Sequence, residues 1–298
     1  MNIPFAGELA ALITACLWSG SSMAFAAATK RAGSFHVNVA RLILAAAYLT
    51  VLVLLAGYNV RLSATQYLYL AISGFVGLTL GDTFLFKAFK DIGARISMLV
   101  MSTAPAIAAV LAYVILGETI SLVGILGICI TIAGIAFVVL DRGKDGSAAV
   151  HVTTSGLLFA FLGAMGQGSG LVFAKMAFAG GEINGFVATM LRIYASMITL
   201  FPFALATGRF MDPIRLFRSN RTGFFYTVIG SIFGPFLGIT FSLLAIAHTD
   251  VGVAATIMAT VPILMLPLVR YIYKEKLTWR AILGAFVAVG GVAVLFLR

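Results

Sequence analysis

Long apolar stretches alternate with short polar breaks along almost the whole chain. Read against those breaks, ten segments stand out, at 8–28, 37–56, 66–86, 94–115, 122–140, 153–177, 186–206, 223–244, 251–272 and 279–297. Each is close to the ~20 residues that a helix needs to cross the hydrocarbon core of a bilayer. Runs such as LILAAAYLTVLVLLAG and GILGICITIAGIAFVVL are apolar on every face and do not alternate, which argues against the strands of a membrane β-barrel. The longest breaks, near 141–152 and 207–222, leave no room for a soluble catalytic domain.

The pattern is also duplicated. Gly81, Thr83, Phe84, Met101, Thr103, Pro105, Glu118, Gly127 and Gly134 recur 157 residues later as Gly238, Thr240, Phe241, Met258, Thr260, Pro262, Glu275, Gly284 and Gly291. The duplication divides the chain into a repeat at 1–140, a linker at 141–152 and a second repeat at 153–298. The linker is rich in charge, Gly and Ser, and reads as a hinge. Five spans per repeat is an odd number, so the second copy enters the membrane upside down. The expected fold is an all-α integral membrane protein, with ten transmembrane helices in two inverted five-helix repeats. Such halves can exchange conformations and open a central cavity first to one side and then to the other.

Composition supports lipid as the solvent. The chain is 61% hydrophobic and 10% charged, against about 25% charged in soluble domains. The net charge of +10 does not indicate nucleic acid, because the basic residues are scattered between apolar runs. Instead they orient the chain. Of 20 Lys and Arg, only Arg61, Lys175, Arg192 and Arg298 fall at one end of the spans and the rest at the other. Positive charges favour the cytoplasm, so both termini are expected outside it. The chain is expected to be a multi-pass monomer in the lipid bilayer. The first apolar run lacks a basic leader and reads as a span rather than a cleaved signal. Cys16 and Cys129 lie in apolar runs without neighbouring ligands, so no metal or redox role is expected.

Polar groups inside apolar runs are the candidates for chemistry. Asp82 falls within the third segment, where a carboxylate must be paired, protonated or in contact with substrate. Lys87 and Lys175 are candidate ion-pair partners. Arg41 and Arg192 open the second and seventh segments in similar contexts, and either snorkel to headgroups or form gate ion pairs. Trp18 and Ser22 in the first segment and Gln167 in the sixth suit a small amphiphilic ligand or interhelical hydrogen bonds. Pro105 and Pro262 are expected to kink the fourth and ninth segments at equivalent positions. Glu118 and Glu275 stand at span-end turns as candidate caps. His248 ends the eighth segment beside Asp250, as a rim residue or a protonation switch. No phosphate-binding loop and no Ser-His-Asp set appears, so the chain reads as a transporter without a cofactor rather than an enzyme.

These segments resemble the drug/metabolite transporter superfamily, and within it the EamA-type exporters. The resemblance is carried by Trp18-Ser-Gly, by residues 40–46, by GDTFLFKAFKDIGARISMLVMSTAPAIAAVLAYVILGETIS at 81–121, and by 234–279. It implies secondary export of small metabolites across a bacterial inner membrane, with amino acids, aromatic or otherwise neutral, as the leading substrates. Multidrug or nucleotide-sugar transport on the same fold is the alternative, and a non-transporting structural role is a third reading. The resemblance places Trp18, Asp82, Met101, Gln167, Thr240 and Met258 among the cavity-lining candidates. Many members of the family have cytoplasmic termini, whereas the charges of this chain point the other way.

Overall fold

The computed structural model describes residues 5–117, 119–139, 152–249, 251–272, 274 and 277–295. Glu118, Glu275, Asp250 and nearly all of the 141–152 linker lie outside these residues. The described residues form helices joined by short turns. In chain order these are α1 (Ala6–Ala32), α2 (Ser34–Ala56), α3 (Ala64–Ser73), a π-helical stretch (Gly74–Gly81), α4 (Asp82–Met101), α5 (Ala104–Leu116), α6 (Leu122–Val139), α7 (Thr154–Ala179) and α8 (Gly185–Ala206). Then follow α9 (Pro213–Ser219), α10 (Arg221–Ser231), a second π-helical stretch (Ile232–Gly238), α11 (Ile239–His248), α12 (Val251–Met258), α13 (Val261–Ile272) and α14 (Trp279–Leu295). Among the described residues, 8 helical stretches are long and apolar enough to cross a membrane. Ala104–Leu116 and Trp279–Leu295 are apolar but shorter.

Several boundaries differ from the apolar pattern. The third segment runs on past 86, because the helix turns only at Gly93, whose φ of 73° is open to glycine and costly for other residues. The fourth and ninth segments are not single helices. Each breaks at a repeat-equivalent place, at Ser102–Thr103 and at Ala259–Thr260. Pro105 and Pro262 therefore stand in the first turn of α5 and α13, where no backbone N–H is required, and do not kink a helix interior. The breaks are capped alike. Thr103 Oγ1 donates to the Val100 carbonyl at 2.8 Å, and Thr260 Oγ1 to the Ile257 carbonyl at 2.7 Å. The 207–222 break also carries a short helix, α9, started by Pro213 and capped by the Asp212 carboxylate.

The orientation of the repeats is written in their closest crossings. α6 and α14 are equivalent helices and pack directly on each other. A Cβ on Gly127 would meet the Gly291 carbonyl at 2.7 Å, and one on Gly134 would meet the Gly284 carbonyl at 2.9 Å. Residue numbers rise on one helix as they fall on the other, so the two run antiparallel. Gly127 and Gly134 are themselves the repeat equivalents of Gly284 and Gly291, as a pseudo-two-fold axis requires. The remaining contacts follow the same axis. α1 packs on α10 and α11 while α7 packs on α3 and its π stretch, and α2 packs on α8. Small residues make these approaches possible in lipid, where close van der Waals contact holds helices together.

Candidate functional site

A cavity of about 130 Å³ lies on this axis. A single ordered water needs roughly 10–15 Å³ by the same measure, so the space fits a small metabolite. Its wall is built from repeat-equivalent pairs, among them Leu78 and Pro235, Met98 and Ala255, Met101 and Met258, and Pro105 and Pro262. Both π stretches and both helix breaks therefore face it. A π turn and a broken helix are tolerated at membrane depth where the backbone borders protein or a cavity. Pro235 explains the second π stretch, since it removes a helical hydrogen bond. The first follows from the glycines of GFVGLTLG, two of which press against α7: a Cβ on Gly81 would meet Gly166 Cα at 3.1 Å.

A charged cluster interrupts the largely apolar wall. The Arg41 Nη2 donates to Asp82 Oδ2 at 2.5 Å, and its Nε donates to Asn38 Oδ1 at 2.8 Å. Asn38 in turn donates to Thr83 Oγ1 at 3.0 Å. The Arg41 guanidinium also lies 4.8 Å from the Phe86 ring centre and 5.8 Å from that of Phe25. Phe25, Phe86 and Phe89 pack in series, with ring centres 4.8 and 5.7 Å apart. Arg41 is thus held by an acid, an amide and two ring faces, which is how a guanidinium survives in a low-dielectric site. Asp82 begins α4 where the π stretch ends, and its side chain is 13% exposed.

The candidates taken from the sequence separate clearly. Trp18, Ser22, Asp82, Met101, Gln167 and Met258 line the cavity, as do Arg41, Pro105 and Pro262. Thr240 does not: it is fully buried, with Oγ1 donating to the Phe236 carbonyl at 2.6 Å. One residue earlier on the same helix, Ile239 faces the cavity, and the ~100° helical step turns Thr240 away. Lys87 is exposed, with Nζ 4.4 Å from the Phe159 ring centre, and the ion pair formed by Asp82 is with Arg41. His248 is on the rim, its Nδ1 2.9 Å from the Leu244 carbonyl, outside the cavity wall. Neither Arg41 nor Arg192 snorkels to headgroups, since they are 3% and 2% exposed. The two belong to opposite ends of the spans, so leaving both out keeps the charge asymmetry.

Arg192 stands apart from the cavity wall. It lies on α8 against the first π stretch: a Cβ on Gly74 would meet its carbonyl oxygen at 2.2 Å, and one on Gly77 its Nη2 at 3.3 Å. Asp82 is within electrostatic reach of both Arg192 and Arg41. The aromatic series Phe25, Phe86 and Phe89 is the part of the site that reading the sequence missed. Phe86 and Phe89 are three apart on α4, the spacing that puts both on one helical face, but Phe is too common in this chain for that to stand out. Among the described residues no cluster of His, Cys, Asp and Glu could hold a metal ion.

Comparison with known proteins agrees with this architecture. The model of the EamA-like transporter family matches the chain twice, at residues 5–140 and 154–297. A solved structure described only as "Crystal structure of protein" superposes with a TM-score of 0.68 at 19% identity, covering 98% of each chain. At that identity the likeness speaks for the fold alone. No curated protein matches the sequence.

Proposed function

We propose, from the premise that this chain belongs to the EamA-like transporter family, that it is a secondary transporter that exports small metabolites, with amino acids foremost. The observation that carries this reading is the cavity on the pseudo-two-fold axis, lined by both repeats and holding one ion pair, with a few uncharged polar groups such as Ser22 and Gln167, in a largely apolar wall. Two antiparallel halves around such a site have the geometry for alternating access. An amino acid suits the wall: its carboxylate matches Arg41, and a neutral or aromatic side chain matches Trp18, Phe25, Phe86 and Met101.

The alternatives draw less support. A nucleotide sugar calls for several free basic groups, and the described wall carries Arg41 as its single cation, already paired. A structural protein has no use for a polar group facing a central space. The experiment is flux in proteoliposomes. Purified protein should move labelled amino acids down their gradient faster than empty vesicles. Folded protein that moves none of a pool of all twenty, whatever the direction of the gradient, would overturn the reading.

A further inference from the structure

We infer that the central site selects carboxylate-bearing substrates, and that Arg192 is the positioning residue that makes it do so. This rests on the transport reading above and adds to it the charge of the transported molecule. Arg192 is 2% exposed, and its Nε has no hydrogen-bond partner among the described residues. Arg41, its counterpart near the start of α2, has Asp82, Asn38 and two aromatic faces. The repeat explains the difference. The position 157 residues after Asp82 is Ile239, so the second copy has the base but lacks the acid.

One carboxylate therefore serves two buried guanidiniums, Arg41 through a direct ion pair and Arg192 only at longer range, from its place on α8 against the π stretch that leads into Asp82. A buried charge without a partner is costly in a low-dielectric interior. Arg192 does not line the cavity, but Asp82 does, and Arg192 acts through it. A substrate carboxylate docked on Arg41 relieves Asp82 of half its task, and Asp82 then serves Arg192. Where the carboxylate is the substrate's only charge, two cations and two carboxylates balance; an amino acid, whose ammonium returns one positive charge, still leaves the site one charge less positive than its amide does. Without Arg192, the Arg41–Asp82 pair is already neutral, and an incoming carboxylate would be the unpaired charge. An uncharged or cationic analogue with the same side chain supplies no anion and leaves the imbalance in place.

The test uses the full-length protein in detergent with three probes that share one side chain: phenylalanine, N-acetylphenylalanine and phenylalaninamide. Binding is read from the rise in unfolding midpoint with ligand concentration. The two carboxylates should bind wild type at least about tenfold more tightly than the amide, the scale of one charged hydrogen bond. Arg192→Met should bring that ratio close to one, and Arg192→Lys should keep most of it. A second readout needs no ligand. Ligand-free Arg192→Met should unfold at the wild-type temperature or above, because it removes an uncompensated charge. A ratio unchanged in Arg192→Met, or a clear fall in its ligand-free midpoint, overturns the inference. If none of the three probes binds, the amino-acid reading fails for this side chain, and the ligand-free midpoints still decide the role of Arg192.

Discussion

Asp82 and Arg41 show how burial changes what a residue does. On the sequence each is a costly charge in an apolar run. In the fold they meet at 2.5 Å and each removes the penalty of the other. The pair is asymmetric in its consequences. Arg41→Met leaves Asp82 buried without its ion pair, and breaking a buried pair from one side costs about 3–5 kcal/mol. Thermal unfolding in detergent should show a large drop for this variant. The double variant Arg41→Met/Asp82→Leu leaves Arg192 buried with no carboxylate near it and should recover little, whereas adding Arg192→Met to it, which removes all three charges, should recover most of the loss while losing selectivity in transport. A single variant as stable as wild type would show that the pair contributes nothing to the fold.

At the scale of elements, the notable feature is that irregularity is itself duplicated. The π stretches at Gly74–Gly81 and Ile232–Gly238 are repeat equivalents, and so are the breaks before Pro105 and Pro262. All four border the cavity. Helices that must change shape around a substrate gain from turns that are already off the α-helical pattern. The regular crossings beside them are tight. A Cβ on Gly166 would lie 2.4 Å from Gly81 Cα, a backbone atom that cannot step aside. Gly166→Val should therefore cut the yield of folded protein sharply and lower its unfolding midpoint. Gly290→Ala is the control, since a Cβ there meets nothing within 4 Å. It should be neutral or stabilising by up to about 1 kcal/mol through helix propensity. Equal effects of the two substitutions would remove close packing as the reason for the glycines.

At the scale of the whole molecule, the distribution of positive charge sets which end of the bundle faces the cytoplasm. Lys30 and Arg31 end α1, and Arg215 and Arg218 lie on α9. Asn220, at the start of α10, donates to the Arg31 carbonyl at 3.2 Å, which brings these basic segments together at one end. We propose that this end is cytoplasmic. The free thiols Cys16 and Cys129 are exposed and must first be replaced by Ala. In that background, Arg215→Cys should react with a membrane-impermeant maleimide only from the cytoplasmic side, and Arg61→Cys only from the opposite side. The reverse pattern would invert the assignment.

Much of this was present in the sequence alone. The apolar runs require lipid, since a chain 61% hydrophobic cannot hide its surface in water. The 157-residue offset and an odd number of spans imply inversion, because duplication and chain direction are properties of the sequence itself. Ser22, Arg41, Asp82 and Gln167, which line the cavity, are residues whose polarity conflicts with an apolar run, and such a conflict is local, whereas Met101 and Met258 came from the family resemblance. Other features needed three dimensions. Whether Asp82 meets Arg41, Lys87 or Lys175 depends on helix rotation and tilt, which packing sets. The turning of Thr240 away from the cavity beside Ile239, the placing of Pro105 and Pro262 at helix starts, and the gathering of Phe25, Phe86 and Phe89 around Arg41 are decisions of the same kind. The orphaned Nε of Arg192 needed both: the repeat says that the acid of the second copy is absent, and only the packed structure shows that nothing else among the described residues accepts a hydrogen bond from that Nε.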